Sequence, residues 1–524
     1  MRVISLLLLV VLLSTCASPT STPLQVTSLP STPIPSIVAT PQALTGTWIG
    51  AVSSSTGGTV SVILNFDDYT LHIEPLTASW KMNVIRKEET VNFSVAGKTN
   101  DPFKNIEFTG IFENGYFMGE MNWDGTNSEI LFTPLVSVDD SVLEKYEGLY
   151  RFESGRVLSI IVSPQYSSGG LNFFSQTLMM TDFESGALRG LYPFEEYTFA
   201  VGALRVVGAP FDGKIQFISD DQGNTTGLIW WEHVSEGAPS STSGQFAKRV
   251  QYKYEDITFS SADGMKLAGR ASLPETDSPV PAFMMLHGSE PGTRDNFGNK
   301  VMAHYMLFRG FAILNYDKRG AGESDGVYQE AASEENLQKQ AEDVIAGVKY
   351  LASRPEIDAK RIGLIGFSQA GWVIPLAASQ SKAITHIVIL SGPVTSTFQE
   401  DVFSNYSNDG DTVTNYDDAE ITQQLHELKP GGFDPLPVIA KLKQPGLWLW
   451  GSVDKSVPVT FSAENLQALI DSGKDIFSYQ VLQNGDHNLN ESPHGLFAEI
   501  PYSPRVLFYS ELAKWLDANM AKEQ

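Results

Sequence analysis

Three side chains in the second half of the chain have the types and order that nucleophilic acyl chemistry requires. The stretch RIGLIGFSQAGW, residues 361–372, runs an apolar strand pattern into a serine set among small residues. Gly366, Ser368 and Ala370 fall at the spacing of the G-x-S-x-G elbow, with Gly371 next and Ala370 standing where glycine is usual. A sharp strand-to-helix turn strains the serine backbone and exposes its hydroxyl. It also aims the next N–H, that of Gln369, and the helix N-terminus at charge developing on a substrate oxygen. A serine hydroxyl is a weak nucleophile and needs a base oriented by a third group, in the chain order Ser, Asp or Glu, His. LWLWGSVDKSVPV places Asp454 just past one apolar strand, and YQVLQNGDHNLN places His487 just past the next. His487 is the expected base and Asp454 its orienting acid. Asp454 as a plain turn residue, Asp486 as the acid and His494 as the base remain open alternatives. MMLHGSEPGTRDN ends an earlier strand in His287, Gly288 and Ser289. The N–H of Ser289 is the expected second oxyanion donor, and His287 is expected to be structural.

These residues need a scaffold that brings strand ends together. From about Tyr252 apolar strand-like runs alternate with helical ones: AFMMLHG before NKVMAHYMLFRG, FAILNYD before ENLQKQAEDVIAGVKYLASR, RIGLIGF before QAGWVIPLAASQ. That alternation predicts a mostly parallel sheet covered by helices on both faces over residues 251–524, with sites at the carboxyl ends of strands. An insertion at about 393–432 is predicted to be a short, acidic, partly helical cap. Its carboxylates Asp409, Asp411, Asp417 and Asp418 lack calcium-loop spacing and read as a solvated face.

The first half has a different texture. Residues 44–137 alternate apolar and polar residues between Gly, Asn and Asp turns, and ENG at 113–115 predicts a tight hairpin. Residues 138–250 read as a second antiparallel β-rich domain. The blocks open on similar segments, TGTWIGAV and YEGLYRF, a hint of a repeated sheet unit. Trp230 and Trp231 suit either a sugar platform or a strand split between core and surface.

The charge of -25 on 524 residues disfavours nucleic acid and anionic membranes as partners. No dinucleotide, phosphate-loop or metal-ligand pattern is present in the sequence, so no cofactor is expected. The N-terminus reads MRVISLLLLVVLLSTC. Its apolar run is shorter than the roughly 20 residues that span a bilayer and suits a leader, residues 1–16. LSTC resembles a bacterial lipobox, with Thr15 departing from the usual small residue. Cys16 is the single cysteine, so no intrachain disulfide can form, and it is the expected lipidation site of an exported, membrane-anchored protein. A cleaved signal without lipid is the alternative. Residues 17–43, rich in Ser, Thr and Pro, read as a tether.

Taken together, HGSEPGTRDN, YDKRGAGESDG, GFSQAGW, GSVDKSVP and GDH resemble the serine α/β-hydrolase superfamily, in its bacterial esterase and acyl-peptidase-like branch. The resemblance covers about half the chain, from Tyr252 to Ala521. It implies that Asp317 and Arg319 buttress the site rather than react, and that the substrate is a small-molecule carboxylic ester; the short cap, leaving an open pocket, favours small or medium acyl groups. A peptidase or amidase of the same fold, and an acyl thioesterase, are the alternatives it leaves. Large oligopeptidases of this branch carry a many-bladed propeller, for which the two β blocks here are too short.

Overall fold

The computed structural model describes residues 44–520, apart from 54–58, 75–78, 100, 102, 114–115, 137, 165–175, 196, 203–212, 233–243, 411–413, 415–416 and 497–504. Cys16, the leader, the 17–43 segment and Asp411 lie outside the described residues.

Alternating patterns in the first block fold into a nine-stranded antiparallel sheet in which the first strand, Thr47–Ser53, lies beside the last, Thr126–Leu135. Its strands Asn105–Glu113 and Tyr116–Trp123 pair antiparallel up to Glu113 with Tyr116, and the turn expected at ENG, residues 114–115, lies outside the described residues. Aromatic side chains, among them Trp48, Phe66, Phe108 and Phe117, fill its core.

The second block does not repeat the first. Its eight strands close into a barrel, Leu149 of the first pairing with Val250 of the last. In both blocks the opening strand pairs with the last, Thr47 with Leu135 and Leu149 with Val250, but the first sheet ends in two edge strands, Ser79–Lys81 and Asn83–Lys87, whereas the second closes. Trp230 is buried in the barrel core and Trp231 half-buried outside it, with Lys214 Nζ 4.8 Å from its ring centre. The pair is thus split between core and surface.

The C-terminal domain has the α/β-hydrolase fold. Its eight strands lie in the spatial order Tyr252–Ser260, Lys266–Pro274, Ala312–Tyr316, Val280–Leu286, Ile357–Phe367, His386–Leu390, Gly446–Gly451, Phe477–Leu482. The first two are antiparallel to their neighbours and the rest run parallel. Continuous apolar runs make the parallel strands because both faces are covered. Ala282, Met284 and Leu286 pack with the helices Glu334–Ala352 and Ala370–Gln380. Phe283 and Met285 point the other way, toward the helices Phe297–Phe308 and Tyr509–Met520. The barrel docks on that second layer. Phe183 packs edge-on against Tyr305 and Tyr509 at 5.2 Å, and Lys300 Nζ meets Glu147 at 2.5 Å.

Within the insertion, Thr397–Ser407 and Asp418–Glu427 are helices. Asp417 caps the second through the N–H groups of Ala419 and Glu420, and Asp418 lies 3.8 Å from Lys455.

Candidate active site

Ser368 sits between the strand Ile357–Phe367 and the helix Ala370–Gln380 with φ +54°, in the left-handed region that non-glycine residues rarely enter. Its neighbours explain the small residues around it. A methyl on Gly366 would lie 2.6 Å from the Ala370 methyl and 2.8 Å from Leu286 Cβ. Ala370 is therefore accommodated by the space that Gly366 leaves. A methyl on Gly371 would lie 2.7 Å from the Gly392 backbone. The elbow is pinned by Ser368 N–H donating to Leu390 O at 3.0 Å.

Asp454 and His487 follow the ends of the strands Gly446–Gly451 and Phe477–Leu482. The Asp454 carboxylate faces His487 Nδ1 through both oxygens, at 3.0 and 2.9 Å. One of those oxygens also accepts the N–H groups of Ser456 and Val457, so the acid is fixed before the histidine meets it. Burial works against a charge on His487, but Asp454 beside it, with Asp486 and Glu400 further off, outweighs that and raises its pKa above the ordinary value. Asp486 is occupied otherwise: its carboxylate accepts the N–H groups of Asn488 and Asn490 and closes the turn that carries the histidine. His494 is exposed.

Ser368, His487, Gln369, Gly288 and Ser289 line one cavity of 890 Å³. His287, also in the cavity lining, is almost wholly buried, with Nε2 2.5 Å from Tyr316 O and Nδ1 2.9 Å from the Asn299 amide. Asp317 and Arg319 are absent from the cavity lining and tie the loops beneath it. Asp317 accepts the Arg294 N–H at 2.7 Å and its guanidinium at 2.6 Å. Arg319 clamps Asp343 with two bonds and Asp263 with a third.

Sequence reasoning passed over two residues here. Lys318, between Asp317 and Arg319, is buried and donates to Gly288 O at 2.7 Å and to Gln369 Oε1 at 3.3 Å. Burial lowers its pKa to about 8 despite the nearby Glu290 carboxylate. Because a peptide unit is planar, holding the Gly288 carbonyl fixes the direction of the Ser289 N–H on its opposite edge. A lysine in a loop ordinarily signals surface, so only the intervening position between two structural residues pointed to it. Glu400, on the helix Thr397–Ser407, lines the cavity opposite the serine loop. Loss of water, and then the carboxylates of Asp401 and Asp409, push its pKa up to about 8. It sits in an acidic insertion whose individual carboxylates carry no distinguishing pattern.

Comparison with known proteins agrees with this architecture. A model of the prolyl oligopeptidase family matches residues 299–504. Thiohydrolase aneE of Aspergillus aculeatus is 31% identical over 153 residues, covering 28% of this chain and 45% of that protein. Esterase EstD of Thermotoga maritima is 24% identical over 351 residues, 60% of this chain and 82% of the esterase. The chain spans about half the length of the first curated relatives it matches. Among solved structures, Pyrococcus furiosus esterase Pf2001 aligns at 21% identity and TM-score 0.36, over 52% of this chain and 94% of that one. The C-terminal half of the chain has the α/β-hydrolase fold.

Proposed function

We propose that this chain is a serine hydrolase that cleaves carboxylic esters of small or medium acyl groups through an acyl-enzyme on Ser368. His487 Nε2 takes the Ser368 proton as Oγ attacks the ester carbonyl carbon. Asp454, bonded to Nδ1–H, keeps Nε2 free to accept and stabilises the imidazolium. The backbone N–H groups of Gln369 and Ser289 receive the oxyanion, each such donor typically lowering the barrier by ~2.7–4 kcal/mol. Lys318 is a positioning residue that holds the Gly288–Ser289 peptide for that role. Collapse expels the alcohol, protonated by His487. Water, deprotonated by the same histidine, then attacks the acyl carbon and releases the acid and Ser368.

The observation that carries this reading is that His487, paired with Asp454 at Nδ1, lines the same cavity as the positive-φ Ser368. The similarity to esterase EstD supports ester over amide. The prolyl oligopeptidase family match supports a second reading, peptide or amide cleavage by the same residues. A panel of nitrophenyl acyl esters against aminoacyl anilides separates them. Ester turnover exceeding anilide turnover by at least a hundredfold is expected, and the reverse order would replace the esterase reading with the peptidase one.

The lipobox-like LSTC segment supports lipid attachment at Cys16 and a place at the cell envelope. Under that reading Cys16→Ser moves the protein from the membrane fraction to the soluble one; retention in the membrane would argue for an uncleaved leader.

A further inference from the structure

The outer face of the barrel is not a solvent face where it meets the hydrolase domain. Strand alternation puts Leu158, Ile160, Leu178 and Met180 inside the barrel. Their neighbours Ile161, Met179 and Thr181 must point outward, yet their exposures are 1%, 4% and 1%. The hydrolase domain covers them. Ser159 Oγ, on the same outer face, bonds His304 Nδ1 at 2.7 Å. The turn after Met179's strand is also locked: Gly186 O accepts the Val506 N–H at 2.8 Å, and a side chain on Gly186, at φ +74°, would strike Val506 O at 2.2 Å.

The same covered face also reaches a cavity at its margin. Met179, Thr181 and Leu188 line the 890 Å³ cavity that holds Ser368 and His487, together with the apolar Val301, Met302 and Phe508 of the hydrolase domain. Phe508 stacks edge-on against Phe367, the residue before the nucleophile, at 6.1 Å between ring centres. The cavity thus has an apolar end roofed by the barrel and a polar end at the insertion, where Glu400, Asp401 and Asp409 stand.

We propose that the barrel completes the acyl pocket: Met179 and Leu188 form the far wall against which an unbranched apolar acyl chain of medium length packs, while the alcohol leaves by the polar end. The chain that stays bonded to Ser368 gains from the covered apolar end, and the released alcohol and incoming water need the wet one. This inference rests on Ser368 being the nucleophile. The barrel then acts on selectivity rather than on the chemical step.

The test uses the full chain and p-nitrophenyl acetate, butyrate, hexanoate and octanoate, with a small fluorophosphonate labelling Ser368 in parallel. In the wild type kcat/KM should climb by up to about fourfold per methylene until the pocket is full. Met179→Trp, which shortens the pocket, should lower the octanoate-to-acetate ratio of kcat/KM at least tenfold. Leu188→Ala, which deepens it, should shift the preferred chain to a longer one, and decides the matter should the tryptophan variant not fold. Ratios equal to wild type in the folded variants, with Ser368 still labelled, would overturn the pocket while leaving the nucleophile standing. A selectivity change that follows the alcohol, in methyl against octyl acetate, would overturn the acyl assignment. Failure of the wild type to label or to turn over any ester would remove the underlying reading instead.

Discussion

Asp454 meets His487 with both carboxylate oxygens, at 3.0 and 2.9 Å from Nδ1, while two backbone N–H groups hold the carboxylate from behind. The acid is immobilised independently of the histidine, so its identity can be changed with little loss of fold. Asp454→Asn should lower kcat by roughly 10³–10⁴ by favouring the wrong imidazole tautomer. Asp486→Asn, altering a carboxylate that closes the turn and reaches His487 only through its more distant charge, should cost less than tenfold. Steady-state rates on a nitrophenyl ester check both, and the opposite ranking would transfer the orienting role to Asp486.

His487 must be neutral to accept a proton. Its pKa lies above the ordinary histidine value of 6.5, since Asp454 outweighs the penalty of burial. The acid limb of kcat/KM is therefore expected at a pH above 6.5, activity falling as pH drops through it. A limb below 6.5 would mean that the base is less strongly coupled to Asp454 than the geometry requires.

Lys318 reaches the Gly288 carbonyl at 2.7 Å, on the far edge of the peptide that carries the Ser289 N–H. Lys318→Met should lower kcat about tenfold or more with little change in KM, because the loosened peptide weakens transition-state contacts selectively. Burial places the ammonium pKa near 8. Any alkaline inflection of kcat near pH 8 should vanish in the methionine variant. A variant that alters KM alone would reduce the lysine to a packing role.

His304 bridges the barrel and the hydrolase domain, with Nδ1 on Ser159 and Nε2 2.9 Å from the Tyr252 hydroxyl. Burial lowers its pKa from 6.5 to about 3, so it is neutral in the folded protein. The unfolded chain binds a proton there below pH 6.5 and the folded one does not. Stability from this group is complete above pH 6.5 and is lost as pH falls toward 3, by at most about 1.4 kcal/mol per unit. Thermal melts across pH 7 to 4 should show a slope that His304→Gln flattens; an unchanged slope would assign the acid sensitivity to other groups.

Much of the candidate site was legible because its signals are local. Gly366 and Gly371 are small because Ala370 and the Gly392 backbone crowd the turn around Ser368, and Asp454 and His487 follow apolar runs long enough to identify as buried strands. The alternation of strand and helix likewise announced the parallel sheet. Barrel closure was not legible, since it joins Leu149 to Val250 across a hundred residues of intervening chain. The docked face left a trace that was missed: Ile160 with Ile161, and Met179 with Met180, are apolar on both faces of their strands, which a solvent-facing barrel would not need. Lys318 was hidden because a charged loop residue looks the same from sequence whether water or a carbonyl receives it.

The most direct measurement is the intact mass of the protein quenched within the first turnovers of a nitrophenyl ester, followed by peptide mapping. The account predicts an acyl adduct on Ser368 that is absent in Ser368→Ala, whose turnover falls below a thousandth of wild type with its melting temperature nearly unchanged. An adduct on another residue, or a Ser368→Ala protein keeping a tenth of the activity, would contradict it.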